Sequence, residues 1–530
     1  MIEEFCSCSS LSCAGCRRST LSDPREEQSR GESCGIVGIV SASGNVALSI
    51  YYALYALQHR GQEAAGIAVS PDAPAGRIAD LEVCEKAIQL FKGRGLVNEV
   101  FSSPALDSLE GRAGIGHVQY STGGGASASG EHAEPLVVNY RKGDIAIAFN
   151  GSLVDATELR QALEREGRIF HAATHTEVIA QLLAKELLRH PPVEALTEVT
   201  KCLNGSYSLV MLLDSTVLAV RDPLGIKPLC IGTLAGDEPG AGGGYIIASE
   251  SPAIDTLGGT LLRDVRPGEV VLLQPSVNVP ARSAVAPRPI TIESHHLSHS
   301  LQSAHCVFEY VYFARPDSII DGRLVYDVRM KIGARLAEEH PVEADIVSPV
   351  PDSGITFAIG YAKRSGIAYM EGLIKNRYVG RTFIMPEQVS RDLAVRLKLN
   401  VVRTNVAGKR VVLVDDSIVR GTTSRRIVEH VKQQGAKEVH LRIGSQPIIA
   451  PCYLGIDTPR REDLLAWNRN LEEIASFLNA DSVRYISRQG LIDAVGIEDE
   501  HLCLGCLTGR YPLEIPGEIC IARQLRLSHF

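Results

Sequence analysis

The sequence predicts a protein of more than one domain that combines α+β and α/β structure. One observation is its length, because 530 residues exceed what a single hydrophobic core usually serves. A second is the set of strand-like apolar runs at residues 34–40, 145–149 and 209–213, which favour sheets in the first half. A third is a strand, loop, helix and strand in succession across residues 411–443, the pattern of an α/β unit.

Helices are predicted wherever apolar residues recur at helical spacing. In the first half this occurs at residues 46–58 and 177–189, and in the second half at 324–336 and 424–434. The last of these helices should end at Gly435, since glycine often follows a helix C-terminus. Further strands are predicted at residues 345–350, 411–414 and 439–443.

Composition excludes several classes of protein. Lys and Arg number 54 and Asp and Glu 62, a net charge of −8, which argues against nucleic-acid or anionic-membrane partners. No apolar run is long enough to span a bilayer and no secretory signal opens the chain, so a cytoplasmic protein is predicted. Thirteen cysteines in a reducing compartment suggest metal ligation or chemistry for some of them.

Four segments follow from these patterns. Residues 1–33 are rich in Ser and Cys and lack any period, so they predict an unstructured leader, although their cysteines could also bind a metal. Residues 34–270 form the first predicted domain. Residues 271–300, rich in Pro, Ser and His, suit a linker, and residues 301–530 form the second domain.

A candidate phosphate site follows the apolar run at residues 411–414. Asp415 and Asp416 end this strand, and Gly421, Thr422 and Thr423 lead into the next helix. Ligands of parallel sheets bind beyond the carboxyl ends of strands, and a helix N-terminus attracts phosphate. Two acids can instead cap a helix and face water, but the coincidence of strand, acids, glycine and hydroxyls favours a sugar-phosphate site with Mg²⁺.

This motif resembles the phosphoribosyl pyrophosphate loop of type I phosphoribosyltransferases. Val-Pro-Asp-Ser-Gly at residues 350–354 resembles their pyrophosphate loop, and residues 375–384 resemble the lid of one family, the glutamine phosphoribosylpyrophosphate amidotransferases. The resemblance runs from Cys34 to about Pro516. It implies an N-terminal-nucleophile αββα sandwich followed by a type I phosphoribosyltransferase domain with a doubly wound parallel sheet.

The resemblance implies an amidophosphoribosyltransferase, which opens de novo purine synthesis. Such an enzyme forms 5-phosphoribosylamine, glutamate and pyrophosphate from phosphoribosyl pyrophosphate, glutamine and water, and it also accepts ammonia. A homo-oligomer, a tetramer in the family, and feedback by purine nucleotides are further expectations.

The same resemblance assigns a glutaminase site. Cys34 becomes the nucleophile once the Ser33–Cys34 bond is cut, which makes residues 1–33 a propeptide. Asn150 and Gly151 form the oxyanion element, and Arg60 anchors the adjacent loop. Without the resemblance, Cys34 is more often structural and Asn-Gly is a common hairpin turn.

For the transferase site, the resemblance implies roles for ten residues and a magnesium ion. Arg391, near the predicted lid, could also neutralise developing charge. The pyrophosphate, ribose, 5′-phosphate and lid residues are Asp352, Ser353, Gly354, Asp415, Asp416, Gly421, Thr422, Thr423, Arg381 and Lys398, with Ser353, Asp415 and Asp416 as Mg²⁺ ligands.

The sequence departs from the family at both positions that bind the charged groups of the glutamine zwitterion. Gln119 replaces an arginine for the α-carboxylate, and His175 replaces an aspartate for the α-amine. We expect a high KM for glutamine with intact use of ammonia, unless Glu177 or His132 supplies the missing contacts. An alternative function is an ammonia-dependent or glutaminase-defective paralogue with a regulatory role.

Cys503 and Cys506 alone could be a redox pair, half a zinc site or an accident. The resemblance instead implies a structural [4Fe–4S] cluster held by Cys306, Cys452, Cys503 and Cys506.

Overall fold

Two antiparallel sheets make up the first half of the protein. The computed structural model describes residues 34–71, 88–120, 133–172, 174–236, 243–275, 289–297, 302–376 and 399–518. The strands of this half are β1 (Gly35–Ser41), β2 (Ala64–Ser70), β3 (Gln89–Arg94), β4 (Ala113–Gln119), β5 (Leu136–Tyr140), β6 (Gly143–Leu153), β7 (Gly205–Leu213), β8 (Thr216–Arg221), β9 (Cys230–Leu234), β10 (Gly244–Ala248), β11 (Thr260–Asp264), β12 (Glu269–Pro275) and β13 (Ile290–His296).

The two sheets pack face to face and bury a shared core. The first has the strand order β11-β9-β10-β1-β4-β2-β3, and the second has the order β13-β12-β8-β7-β6-β5. Side chains from both sheets, among them Ile36, Ile115, Ala148 and Val210, form one hydrophobic cluster. β1, which directly follows Cys34, and β6, which carries Asn150 and Gly151, lie inside these two sheets.

Helices cover the outer faces of both sheets and complete the predicted αββα layers. α1 and α7 share a core with the first sheet, and α5 and α6 share one with the second. The helices are α1 (Ala47–Ala56), α2 (Val97–Val100), α3 (Ser103–Asp107), α4 (Ala156–Arg165), α5 (His175–Glu186), α6 (Pro192–Cys202) and α7 (Pro252–Thr256).

The predicted linker at residues 271–300 is wrong for much of its length. β12 extends to Pro275, and β13 pairs with it antiparallel over seven residues. β13 is an edge strand whose side chains are mostly exposed, so it is held by backbone hydrogen bonds and needs no apolar period. The first domain therefore extends past residue 270 to at least His296.

The second half contains a doubly wound parallel sheet, as predicted. Its sheet has the order β17-β20-β21-β22, with α8 and α9 packed on one face and α11 and α12 on the other. The strands are β14 (His305–Cys306), β15 (Ile319–Ile320), β16 (Arg323–Leu324), β17 (Ile346–Pro349), β18 (Leu373–Lys375), β19 (Leu399–Val401), β20 (Arg410–Asp415), β21 (Glu438–Ile443), β22 (Ser482–Tyr485) and β23 (Leu502–Cys503). The helices are α8 (Val325–Glu339), α9 (Ile355–Ser365), α10 (Arg403–Val406), α11 (Thr422–Gln433), α12 (Leu471–Leu478), α13 (Arg488–Val495) and α14 (Gly505–Thr508).

Across the described ranges, the protein has no helix with both the length and the apolar character needed to cross a membrane.

Candidate functional site

The predicted nucleophile and the predicted oxyanion residue lie side by side. Cys34 immediately precedes β1 and is fully buried. Its backbone N–H donates a hydrogen bond to Oδ1 of Asn150 at 3.1 Å, although the two residues are 116 positions apart. Because Asn150 lies in β6 of the other sheet, the face-to-face packing of the sheets brings the pair together.

This hydrogen bond also orients the Asn150 amide. With Oδ1 facing Cys34, the Nδ2 donor is buried and has no hydrogen-bond partner among the described residues. Buried donors are nearly always paired, so an unpaired donor beside a thiol suits the oxygen of a bound ligand, as in an oxyanion hole. At the next position only glycine fits, since a Cβ on Gly151 would lie 2.0 Å from the carbonyl oxygen of Ser206.

Arg60 contacts the backbone of Cys34, the predicted nucleophile. It is fully buried, and its Nε donates to the carbonyl oxygen of Cys34 at 3.0 Å. Its guanidinium also pairs with Glu250 and Glu309. Burial opposes its charge, but the carboxylates of Glu309 and Glu250 outweigh burial and raise the pKa of Arg60. This geometry suits a residue that positions Cys34. Sequence reasoning assigned neither acid a role, because their partner Arg60 is distant in the chain.

His175 is the first residue of α5 and lies close to β6, the strand that carries Asn150. Its Nδ1 accepts a hydrogen bond from the backbone N–H of Leu153 at 3.2 Å, and its ring meets Phe149 edge to face. A neutral imidazole has a single acceptor nitrogen, and here that nitrogen is used. A neutral His175 with this hydrogen bond therefore has no acceptor nitrogen left for the α-ammonium of glutamine.

Gln119 and Glu177 occupy two other positions of the predicted glutamine pocket. Gln119 ends β4, directly after the residue that pairs with Gly35. Both carboxylate oxygens of Glu177 accept backbone N–H groups, from His171 at 2.7 Å and Ala172 at 2.6 Å. Glu177 is thus engaged in holding its own loop, which argues against a contact with glutamine. His132 lies outside the described residues.

The predicted transferase acids lie at the carboxyl end of β20, as the motif requires. Asp415 is the last residue of the strand, and Asp416 is almost fully buried beside it. Burial and the charge of Asp416 raise the pKa of Asp415 well above its usual range. Burial also raises the pKa of Asp416, while a hydrogen bond from Ser353 opposes that shift. Two carboxylates and a hydroxyl in one place are a donor set that fits Mg²⁺.

Ser353 belongs to the predicted pyrophosphate loop, which follows the neighbouring strand β17. Gly354 is tightly packed there, since an added Cβ would lie 2.3 Å from the carbonyl oxygen of Val414. The carboxylate of Asp352 is exposed and pairs with Lys375 at 2.6 Å. Parallel pairing of β17 with β20 thus places both predicted loops at one edge of the sheet.

The predicted 5′-phosphate segment leads into α11. Gly421 precedes the helix with a φ of 75°, a conformation that favours glycine. Thr422 and Thr423 are exposed in the first turn, where free backbone N–H groups and the helix dipole favour an anion. Arg381, Arg391 and Lys398 lie outside the described residues.

The four predicted cluster cysteines converge from three separate segments. Cys306 in β14 pairs directly with Cys503 in β23, and the carbonyl oxygen of Cys506 accepts N–H groups of the segment that leads to Cys452. Burial, followed by the charge of Glu309, raises the pKa of Cys306 to about 12. The charges of the neighbouring thiols likewise raise the pKa of Cys503 and Cys506, after burial. Four free thiols, buried at Cys306 and half-buried at the other three positions, with no disulfide between them, fit a four-thiolate centre.

A buried cation lies beside these thiols, and sequence reasoning missed it. Lys227 is fully buried, and its Nζ donates to the carbonyl oxygen of Gly455 at 2.8 Å. Its charge opposes the rise in pKa of Cys306 and Cys503, which suits an anionic group at this place.

Two parts of the chain match known domain families. Residues 126–256 match the glutamine amidotransferase domain, and residues 317–443 match the phosphoribosyl transferase domain.

Curated relatives match along almost the whole chain. An amidophosphoribosyltransferase of Archaeoglobus fulgidus is 51% identical, over 92% of this chain and 99% of its own. The enzyme of Bacillus subtilis with the same name is 42% identical, over 91% and 95% of the two chains. Among solved structures, glutamine phosphoribosylpyrophosphate amidotransferase from B. subtilis, complexed with ADP and GMP, matches with a TM-score of 0.79 and 42% identity, covering 91% of this chain and 98% of that one.

Proposed function

The chain belongs to the amidophosphoribosyltransferase family, and on that basis we propose how its residues divide the reaction between two sites. It is a glutamine-dependent glycosyltransferase of purine biosynthesis. It forms 5-phosphoribosylamine, glutamate and pyrophosphate from phosphoribosyl pyrophosphate, glutamine and water.

In the proposed glutaminase step, the thiolate of Cys34 attacks the side-chain amide carbon of glutamine. The Nδ2 donor of Asn150 and the backbone N–H of Gly151 stabilise the oxyanion that forms. Collapse of this intermediate releases ammonia and leaves a glutamyl thioester, which water hydrolyses to glutamate. The unpaired Nδ2 of Asn150 beside Cys34 is the observation on which this proposal chiefly depends.

The proposal includes removal of residues 1–33 as a propeptide, which gives Cys34 a free α-amine. Ordinary pKa values of about 7.7–8.0 for such an amine and about 8.5 for a thiol are close enough for the amine to act as the base.

In the proposed transferase step, ammonia attacks C1 of the ribose and pyrophosphate leaves. Asp415 and Asp416 hold the ribose hydroxyls, residues 352–354 hold the pyrophosphate, and residues 421–423 hold the 5′-phosphate. Arg381 and Lys398 neutralise the charge that develops. Mg²⁺ held by Ser353, Asp415 and Asp416 would supply charge stabilisation on the departing pyrophosphate.

A [4Fe–4S] cluster on the four converging cysteines would tie the C-terminal segment to the transferase domain. The buried ammonium of Lys227 supports this part of the proposal, because it lies beside two of the ligands.

Regulation by purine nucleotides is also proposed, because the B. subtilis structure is a complex with ADP and GMP. A second solved relative, 41% identical with a TM-score of 0.80, is described as the allosteric regulatory enzyme of purine biosynthesis. A cytoplasmic location and a homo-oligomer stay predictions.

A second candidate is an enzyme that relies mainly on free ammonia. This candidate is favoured by Gln119, which replaces the arginine for the α-carboxylate of glutamine. It is also favoured by His175, whose acceptor nitrogen is occupied and so does not serve the α-amine.

One experiment separates these functions. Turnover of phosphoribosyl pyrophosphate is measured with glutamine and with ammonia, for the parent enzyme and for Cys34→Ala, alongside the intact mass of each. The proposal expects a new N-terminus at Cys34 in the parent enzyme and loss of glutamine-dependent turnover alone in the variant. Glutamine-dependent turnover by Cys34→Ala, or an active enzyme that retains residues 1–33, would contradict it.

A further inference from the structure

Glu134 holds the strand that carries the oxyanion residue. Its carboxylate is only 3% exposed, and Oε2 accepts the backbone N–H of Phe149, the residue before Asn150, at 2.8 Å. β5 begins at Leu136, paired with Ile147, so the backbone ladder on this edge of β6 ends before Phe149. The side chain of Glu134 therefore replaces the missing strand partner.

His117 holds the backbone carbonyl of Phe149, the second polar backbone group of that residue. Its ring lies in hydrogen-bond contact with the carbonyl oxygen of Phe149, at 3.1 Å from Nε2, and Nε2 is 3.4 Å from Glu134. Burial lowers the pKa of His117 to about 3, so the ring is neutral and donates from Nε2. The two peptide groups that flank Phe149 are thus both held by buried side chains, which fixes the backbone entering Asn150.

The second oxygen of the Glu134 carboxylate accepts from the hydroxyl of Thr176. Thr176 lies in the first turn of α5, next to His175. One carboxylate therefore joins the oxyanion strand to the helix end at which the family binds the α-amine of glutamine.

We propose that Glu134 is a positioning residue that sets the spacing between Asn150 and the glutamine-binding end of α5. This inference rests on the proposed roles of Cys34 and Asn150. It assigns Glu134 no contact with substrate.

Glu134 makes one hydrogen bond to Phe149 and one to Thr176, and three variants separate their effects. Glu134→Ala leaves the Phe149 N–H and the Thr176 hydroxyl without this acceptor, so we expect kcat with glutamine to fall about tenfold to a hundredfold and KM to rise. Glu134→Gln should keep kcat within about threefold, because the amide oxygen accepts from Phe149 and its NH₂ donates to Thr176. Thr176→Val removes only the link to α5, so KM should rise about twofold to tenfold with kcat little changed.

The experiment is steady-state kinetics with glutamine, with ammonia-dependent turnover as the measure of folded enzyme. Asp144→Asn is the matched control, since Asp144 is another buried carboxylate, lies in β6 and contacts Asn139 and Ile88 instead. Unchanged kcat in Glu134→Ala, or no recovery in Glu134→Gln, would overturn the inference. If Glu134→Ala does not fold, an unchanged KM in Thr176→Val overturns it.

The Cys34→Ala variant distinguishes this failure from failure of the proposed function. If Cys34→Ala loses glutamine-dependent turnover while Glu134→Ala keeps it, only the positioning role is wrong. If Cys34→Ala keeps it, the glutaminase assignment itself is wrong.

Discussion

Arg60 in the first domain forms a buried ion pair with Glu309 in the second, with 2.7 Å between Nη2 and Oε1. The guanidinium also lies over the ring of Phe313, 4.5 Å from its centroid. Because Arg60 donates to the carbonyl of Cys34 as well, the contact between the domains bears directly on the position of the proposed nucleophile.

Glu309→Ala should destabilise the protein and impair the glutaminase together. Breaking a buried ion pair costs up to about 3–5 kcal/mol, and less here because Glu250 still pairs with Arg60. We expect a thermal midpoint several degrees lower and a reduced kcat with glutamine. The control is Asp317→Ala, whose exposed pair with Arg315 should contribute about 1 kcal/mol or less. Equal thermal midpoints for the two variants would show that the buried ion pair stabilises the protein no more than the exposed one.

Asn150→Ala should lower kcat with glutamine by about 10²–10³. The reason is the loss of the Nδ2 donor, and the measurement is initial rates of glutamate release. Asn139→Ala provides the comparison, because Asn139 lies in the same sheet and its side-chain amide donates to Asp144. A fall of less than about tenfold in Asn150→Ala would mean that other donors serve the oxyanion.

Gln119→Arg should lower the KM for glutamine relative to the parent enzyme. A charged hydrogen bond to the α-carboxylate is worth about 1.5–3 kcal/mol, which corresponds to roughly a tenfold to hundredfold change in KM. The control is Gln181→Arg, which adds the same charge on α5. The side chain of Gln181 donates a hydrogen bond to the Ile169 carbonyl. The prediction is wrong if the parent enzyme already has a KM for glutamine that is ordinary for the family and Gln119→Arg leaves it unchanged.

Asp415→Asn should stabilise the protein without magnesium while abolishing transferase activity. Burial and Asp416 raise the pKa of Asp415, so between its ordinary and folded values the folded protein holds the extra proton, and stability falls as pH rises. The gain in thermal midpoint should therefore be present near about pH 8 and shrink as the pH falls to about 4 and below, where the unfolded state takes up its proton as well. Asp345→Asn should act in the opposite sense, because the Arg410 backbone N–H lowers the pKa of Asp345.

Cys452→Ser should remove the broad visible absorbance that we expect from anaerobically purified protein. Losing one thiolate of four breaks the ligand set, and the C-terminal segment should become easier to cleave with protease. Cys202→Ser, at an exposed cysteine outside the set, should leave the absorbance unchanged. Parent protein without iron, sulfide or this absorbance would contradict the cluster.

The sequence predicted the local features well. The acids after β20, the glycine-rich turn into α11 and the apolar stripes of α1 and α8 are set by residues near one another in the chain. The edge strand β13 was mistaken for a linker, because a strand held by backbone hydrogen bonds at an exposed edge shows no apolar period.

Residue types at short spacing were enough to predict the two domain types, and they also mark the candidate reactive groups. Only the tertiary structure decided which distant polar groups meet: Asn150 with Cys34, Glu309 with Arg60, and Glu134 with Phe149 and Thr176. A buried charge or donor costs free energy unless a partner faces it. Sheet packing and the contact between domains choose that partner, and spacing along the chain does not encode them.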